Sequence, residues 1–184
     1  MTRTLRTRRL AALLLASSLA LAGCASGADA PSADGTAAAS GGTITWGWAL
    51  PSTWDPVTSA VGNDSHALAL VYEAITQQTA EGDAAPGLAE RWEYNDAGDE
   101  VTFFLREGLT FSDGTPLDAD AVKESLLRGR DGEASTVAAQ LAVVTDVVVD
   151  SPTEVRLVLD QPDFQIPLLL SGKTGQIVSP AAAG

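Results

Sequence analysis

The sequence predicts a mixed α/β fold of the α+β type, formed by residues 43–184 after an N-terminal export segment. Two pairs of segments with alternating apolar residues are each joined by a turn sequence, which is typical of antiparallel hairpins. Other segments show the apolar spacing of amphipathic helices. The predicted element order is βαββαββα, which favours an α+β or mixed arrangement over a regular parallel sheet.

The first 23 residues are predicted to be a lipoprotein signal peptide. Four arginines precede an apolar run, Leu10–Ala22, that is too short to cross a bilayer comfortably. The run leads to Gly23 and then to Cys24, the single cysteine of the chain. This order resembles the bacterial lipobox, whose cysteine becomes the lipidated first residue of the mature protein. An ordinary signal peptide or a buried thiol is the alternative, and Thr7–Leu10 leaves the Sec and twin-arginine export routes open.

Residues 24–42 are predicted to form the lipidated cysteine and a flexible linker, since residues 25–42 contain no large apolar side chain. The chain has 11 basic and 24 acidic residues; without the four signal-peptide arginines, 7 basic residues remain and the net charge is −17. This charge argues against binding to nucleic acid or to anionic lipid. With no cysteine after Cys24, neither a disulfide framework nor a thiolate metal site is expected.

The mature part begins with a predicted strand, Thr43–Trp48, in which polar and apolar residues alternate. A loop follows over Leu50–Pro56, because its two prolines oppose strand pairing. A helix is predicted to begin at Asn63-Asp64-Ser65, where N-cap residues precede apolar residues spaced i, i+3 and i+7 up to Ile75.

Two hairpins are predicted further along the chain. The first joins Leu88–Tyr94 to a strand over residues 101–105 through the turn Asn95–Gly98. The second joins Val143–Val149 to Val155–Leu159.

The connection between the hairpins contains two predicted tight turns and one helix. Gly108 and Gly114 allow positive φ angles, and Pro116 stiffens the entry to the helix. Asp118 is the predicted N-cap of this helix, and Arg128-Gly129 is its predicted end. A short apolar helix is also predicted after the second hairpin, over Phe164–Leu170.

Four ordered stretches of the chain resemble the extracytoplasmic solute-binding protein family 5 of ABC importers, the dipeptide, oligopeptide and nickel type. They include the pattern T-F-x-L-R-x-G-x-x-F-x-D-G-x-P, which accounts for the two glycine turns and the proline before the helix. The stretches are Val71–Ile75, Pro86–Glu93, Val101–Leu117 and Asp118–Val122.

The resemblance implies a periplasmic-binding-protein-like fold of type II, in which two lobes close on a solute. It also implies that the 184 residues end inside the first lobe, so that only part of that lobe is present and the chain alone is inactive. Val143–Val149 and Phe164–Leu170 are then expected to lack part of their apolar cover. The implied partners are a peptide or another small solute, ABC permease subunits, and the outer face of the cytoplasmic membrane through the lipid anchor; a monomer is expected.

In similar proteins the loop after the first strand faces the cleft between the lobes. This implies ligand contacts from that loop, with weaker candidates near the following helix start; the residues are Trp46, Trp48, Ala49, Leu50, Pro51, Ser52, Asn63 and Asp64. Indole rings can stack on solute side chains or sugar faces. Burial of one or both tryptophans in the core is an equally weighted alternative.

No enzymatic function is predicted. His66 is the single histidine and is expected to be a surface or cap residue, so no histidine triad or multi-histidine metal site is expected. Neither a phosphate-binding glycine loop nor a cofactor site is indicated. The alternatives to peptide import are a surface solute sensor, a nickel-chelate binder and an oligosaccharide binder.

Overall fold

The computed structural model describes residues 42–133 and 135–182. The predicted signal peptide, Cys24 and the linker up to residue 41 lie outside these residues. The predicted strand Thr43–Trp48 is wrong, because residues 42–50 have no regular secondary structure. A strand needs a partner for its N–H and C=O groups, and none of the backbone hydrogen bonds among the described residues involves residues 43–48.

Six strands and four short α-helices make up the described part of residues 46–182. Their order differs from the predicted order through a small extra hairpin, β1–β2, and an extra helix, α3. None of the described helices is both long and apolar enough to cross a membrane. The elements are α1 (Asp64–Leu68), β1 (Thr76–Gln78), β2 (Ala84–Pro86), β3 (Ala89–Tyr94), β4 (Glu100–Leu105), α2 (Ala119–Arg130), α3 (Thr136–Leu141), β5 (Val144–Ser151), β6 (Glu154–Leu159) and α4 (Ile166–Leu169).

An antiparallel sheet with the strand order β3-β4-β6-β5 forms the centre of the structure and confirms both predicted hairpins. Alternate residues of β4 and β6 are buried, as their period-2 patterns predict. The buried face packs with α2 and α3 into one apolar core, which confirms the mixed α/β class. Fully buried core residues include Phe103, Leu157, Val122 and Val137.

Helix α2 begins as predicted. The carboxylate of Asp118 accepts a hydrogen bond from Ala121 N at 3.1 Å, so Asp118 is the N-cap. Gly108 and Gly114 have φ angles of 71° and 86°, which confirms the predicted tight turns. The helix continues to Arg130, slightly past the predicted end.

The helix predicted to run from Asn63 to Ile75 is much shorter, because α1 ends at Leu68. Asn63 occupies the N-cap position but its side chain makes no cap hydrogen bond. Beyond the helix, the N–H of Ile75 donates to Gly175 O at 3.0 Å instead of continuing an i to i−4 ladder. At Ile75, a contact that is distant in sequence therefore replaces the hydrogen bond that a continued helix would make.

The prediction that two segments would lack apolar cover is wrong for most of their apolar residues, although it holds at Phe164. Val144 and Val147 of β5 are buried in the core with α2, and Ile166 and Leu170 are fully buried. Phe164 is 64% exposed. Helix α4, Ile166–Leu169, is shorter than the helix predicted over Phe164–Leu170.

An ion pair attaches the loop after Trp54 to helix α2. Arg128 donates from Nη1 to Asp55 Oδ1 at 2.9 Å and from Nη2 to Oδ2 at 2.5 Å, and the two side chains are 29% and 25% exposed. Val57 N also donates to Asp55 Oδ1 at 3.0 Å. The hydrogen bond from Arg128 is the main reason that the pKa of Asp55 lies below its usual value, although desolvation opposes the shift.

We predict that Arg128→Met lowers the free energy of unfolding by about 1–2 kcal/mol, between the values for exposed and for fully buried ion pairs. Urea denaturation at pH 7 measures the difference. The matched control is Lys123→Met in the same helix, which removes the same charge and is expected to change stability by less than about 0.5 kcal/mol.

The pH dependence of this loss follows from the lowered pKa of Asp55. The contribution of the pair is complete above the unfolded-state pKa of about 3.9 and is lost as pH falls through the lower, folded-state pKa. The difference between wild type and Arg128→Met should therefore shrink in acid. An Arg128→Met protein as stable as the Lys123→Met control at pH 7 would contradict the assigned role.

Candidate functional site

The predicted ligand residues surround two adjoining grooves beside α1. The first, called the α1 groove, has a volume of about 810 Å³. The second, called the tryptophan groove, has a volume of about 210 Å³. Trp48, Ala49 and Leu50 line both grooves; Ser52, Asn63 and Asp64 line the α1 groove, and Trp46 and Pro51 line the tryptophan groove. The structure thus brings all eight predicted residues into one region of the surface.

Aromatic rings dominate the tryptophan groove. The ring centroids of Trp46 and Trp48 are 5.7 Å apart, and the ring of His66 lies 5.4 Å from that of Trp48 in an edge-to-face arrangement. Trp46 is 56% exposed and Trp48 is 50% exposed, so neither is a core residue. His66 is also exposed, which confirms that it is a surface residue, although it does not cap the helix.

A buried carboxylate fixes the loop that carries these residues. Asp64 Oδ2 accepts hydrogen bonds from Ser52 N at 3.2 Å, from Ser52 Oγ at 2.5 Å and from Ser59 Oγ at 3.0 Å. The hydrogen bond from the Ser52 side chain is the largest cause that lowers the pKa of Asp64, and the bond from Ser59 adds to it. Lys173 Nζ donates to Ser59 O at 2.5 Å, which links the loop to a distant part of the chain.

This geometry gives Asp64 a structural role in the site. Its Oδ2 is occupied by Ser52 and Ser59, whereas Oδ1 receives no hydrogen bond from the described residues. The carboxylate therefore holds the loop with one oxygen and can offer the other to a donor group in the α1 groove.

Sequence reasoning missed several residues that line these grooves. Trp54, which is 49% exposed, and His66 both line the tryptophan groove, and Val61 lines the α1 groove. The position of Trp54 between Pro51 and Pro56, in a segment that cannot form a regular strand, could have indicated an exposed aromatic residue in this loop. A third groove of about 540 Å³, lined by residues that include Thr136 and Lys173, had no sequence signal because distant segments form it.

The two grooves can hold a small organic solute. Exposed indoles and aliphatic side chains supply apolar contact, while a few polar groups can fix the orientation of a solute. Among the described residues, no group of three or more His, Cys, Asp and Glu side chains is placed to hold a metal ion. The arrangement fits non-covalent binding.

We predict that Asp64→Asn loosens the loop, because it replaces charge-assisted hydrogen bonds from Ser52 and Ser59 with weaker ones. Limited proteolysis should cut residues 50–62 faster in the variant, and the urea midpoint should fall. Because the pKa of Asp64 is lowered in the folded state, its contribution is present above about pH 3.9 and is lost as pH falls through the lowered pKa.

The control for this prediction is Asn63→Ala, which alters an exposed neighbour whose side chain makes no cap hydrogen bond. It should leave the cleavage rate unchanged. Equal cleavage rates in wild type and Asp64→Asn would show that the carboxylate does not hold the loop.

Comparison with known proteins gives consistent matches over most of the described residues. The family bacterial extracellular solute-binding proteins, family 5 Middle, matches residues 83–183. The probable D,D-dipeptide-binding periplasmic protein DdpA of Escherichia coli K12 is 32% identical over an alignment of 141 residues that covers 71% of this chain and 26% of that protein. The nickel-binding periplasmic protein of the same organism is 34% identical over 98 residues, covering 53% of this chain and 19% of that protein.

A solved structure confirms the periplasmic-binding-protein-like fold. NikA from Brucella suis, in complex with Fe(III)-EDTA, superposes with a TM-score of 0.63 at 29% sequence identity, over 72% of this chain and 27% of that chain. The chain thus spans about a quarter of the length of such relatives. The family match covers more than half of the 184 residues and confirms the resemblance of the sequence motifs. The chain belongs to family 5 of the bacterial extracellular solute-binding proteins.

Proposed function

We propose that this chain is part of a lipid-anchored solute-binding protein that captures peptide-like solutes outside the cytoplasmic membrane and delivers them to an ABC permease. Family 5 proteins are transport binding proteins rather than enzymes. The observation that carries the proposal is the 32% identity to a probable D,D-dipeptide-binding protein over 71% of this chain. The two Escherichia coli relatives are periplasmic, which supports an extracytoplasmic location.

The chemistry of the grooves supports a peptide-like solute. A peptide offers apolar side chains to the indoles of Trp46 and Trp48, and amide N–H groups to acceptors such as Asp64 Oδ1. An indole has only two rotatable side-chain bonds, so a half-exposed tryptophan loses little side-chain entropy when a solute covers it. The indole rings of Trp46 and Trp48 therefore form the proposed recognition surface.

A nickel chelate is the second candidate solute. The nickel-binding relative and the Fe(III)-EDTA complex of NikA favour it. In a chelate the metal keeps its own organic ligands, so a protein can bind it through contacts to those ligands without a cluster of metal-binding side chains. Indole and polar contacts of the kind found in the two grooves suit such a ligand as well.

Solute capture is proposed for a longer protein that contains these residues. The chain spans about a quarter of the length of its relatives, and binding proteins of this type close two lobes around a solute. Ligand contacts with both lobes favour the closed state. We therefore propose that the 184 residues alone are inactive, and that the longer protein acts as a monomer.

We predict that the longer secreted product binds short peptides in calorimetry, and that Trp48→Ala weakens this binding at least about tenfold by removing an aromatic contact. Phe164→Ala is the matched control, since Phe164 is an exposed aromatic residue that lines neither groove. It should leave the affinity unchanged.

Two outcomes would overturn parts of this proposal. Binding of only a nickel–histidine chelate or an oligosaccharide would reject the peptide assignment. Micromolar peptide binding by the 184 residues alone, together with a sharp cooperative melt, would reject the need for a second lobe.

The membrane anchor is tested separately through Cys24. We predict that Cys24→Ala abolishes acyl labelling and releases the mature protein from membranes, because two or more acyl chains supply the binding energy of such an anchor. Fractionation of cells in high salt measures the release. Ser26→Ala, two residues away, should stay membrane-bound, and a Cys24→Ala protein that also stays bound would place the anchor elsewhere.

A further inference from the structure

Strand β5, Val144–Ser151, lies at an open edge of the four-stranded sheet. It pairs with β6 on one side, and no other strand among the described residues pairs with its outer side. It is also the longest strand of this sheet, and its centre is a run of three valines, Val147–Val149, which favour strand structure. An edge of this length and composition is a template for pairing with another chain.

The outer edge of β5 presents the backbone groups of Val147 and Val149. Asp160 N donates to Val143 O at 2.9 Å, which shows that the even-numbered residues of β6 direct their backbone groups towards β5. Val148 pairs with one of these residues and therefore takes part in the ladder with β6. Because the backbone groups of successive residues point to opposite sides of a strand, those of Val147 and Val149 point away from β6.

Two charged side chains occupy the first half of this edge. Asp146 Oδ1 accepts a hydrogen bond from Val147 N at 2.8 Å, so this outward N–H already has a partner. Arg130, at the end of α2, donates from Nη1 to Thr145 O at 2.9 Å. Thr145 is the extra residue of a β-bulge, which bends the strand locally. A second strand therefore cannot pair with this half of the edge without displacing both side chains.

The guanidinium group of Arg130 is itself held in place. Its Nε donates to Asp131 Oδ1 at 2.7 Å, and its Nη2 donates to Asp131 Oδ2 at 3.3 Å. This two-point contact fixes the plane of the guanidinium group and leaves Nη1 to bind the strand. The cover over Thr145 O is thus a defined part of the fold.

The edge is complementary to a second copy of itself. When two β5 strands pair in antiparallel fashion about Val148, Val147 of each copy lies opposite Val149 of the other, and their outward groups can form a shared ladder. A two-fold axis then relates the copies, which is the commonest symmetry of protein dimers. In the same register Asp146 of each copy lies opposite Asp150 of the other, so like charges oppose the contact.

We propose that the β5 edge is a strand-pairing surface for a second copy of this chain, and that Arg130 and Asp146 keep it closed in the monomer. Both side chains occupy backbone groups at the edge, and Asp146 also adds like-charge repulsion. Charged side chains and bulges are the means by which native sheets avoid edge-to-edge association. The inference gives a physical reason for the proposed monomer and does not depend on which solute binds.

The test measures self-association of the longer secreted product by sedimentation velocity over a range of protein concentrations. The variant Arg130→Met/Asp146→Ala should dimerise with a dissociation constant at least about tenfold lower than that of wild type, because it opens the edge. The matched control is Lys123→Met/Asp96→Ala, which removes the same two charges from α2 and from an exposed turn. The control should behave as wild type.

Hydrogen exchange and a proline substitution locate the contact. Amide exchange in residues 147–151 should slow as the variant dimerises, because the outward N–H of Val149 gains a partner. Adding Val149→Pro to the variant removes this N–H without removing a hydrogen bond to β6. The dissociation constant should then return to that of the control.

Three results would overturn the proposal. The first is an equal dissociation constant for the variant and the control. The second is dimerisation that neither slows exchange in residues 147–151 nor responds to Val149→Pro, because the contact would then lie elsewhere. The third is association of molecules that have lost the cooperative urea transition, since unfolded chains associate through any apolar segment. A failure of peptide binding would leave these measurements unchanged, so the two proposals can fail separately.

Discussion

The position of the candidate site depends on the ion pair between Asp55 and Arg128. Residues 46–62 contain no helix or strand, so the sheet cannot position them through ladder hydrogen bonds. Instead, the pair attaches the loop to α2, and α2 in turn packs on the buried face of the sheet. Asp64 adds a second attachment by binding Ser52 and Ser59. The carboxylates of Asp55 and Asp64 thus hold this loop in position through hydrogen bonds, whereas apolar packing positions the sheet.

Both attachments act through charge-assisted hydrogen bonds, which require a specific geometry. An apolar contact would tolerate sliding of the loop, whereas the bidentate pair fixes Asp55 relative to Arg128 in distance and angle. This suits a segment whose indoles are half exposed rather than held in the core. Burying Trp46 and Trp48 would stabilise the fold but would remove the surface that a solute can contact.

The parts of the fold that the sequence predicts correctly depend on local patterns. The alternation in β4 and β6 sets which face is buried, and Asp118 begins α2 through a bond to a residue three positions away. The errors arise where distant segments decide the structure. Ile75, which the helical spacing included, bonds instead to Gly175, and the first predicted strand has no partner among the described residues.

The candidate site shows the same division. The family resemblance pointed to the Trp46–Ser52 loop as a candidate site, but the sequence could not decide whether the tryptophans were core or surface residues. The position of the loop that carries the tryptophans depends on the hydrogen bonds of Asp55 and Asp64, which join residues up to 73 positions apart. The burial of Gln176 could not be predicted either, since a glutamine in a sequence gives no sign that its amide oxygen will be buried without a donor among the described residues.

Gly175 explains how the segment before Gln176 passes so close to Leu170. A Cβ atom at this position would lie 2.0 Å from Leu170 O, so only glycine permits the close approach of the two backbones. The same close turn lets Gly175 O accept from Ile75 N and brings Gln176 beside Ala74. The backbone contact that takes up the N–H of Ile75 therefore also brings the side chain of Gln176 into a buried position. Because the backbone bonds on both sides stabilise this turn, the fold tolerates one buried amide oxygen without a hydrogen-bond partner among the described residues.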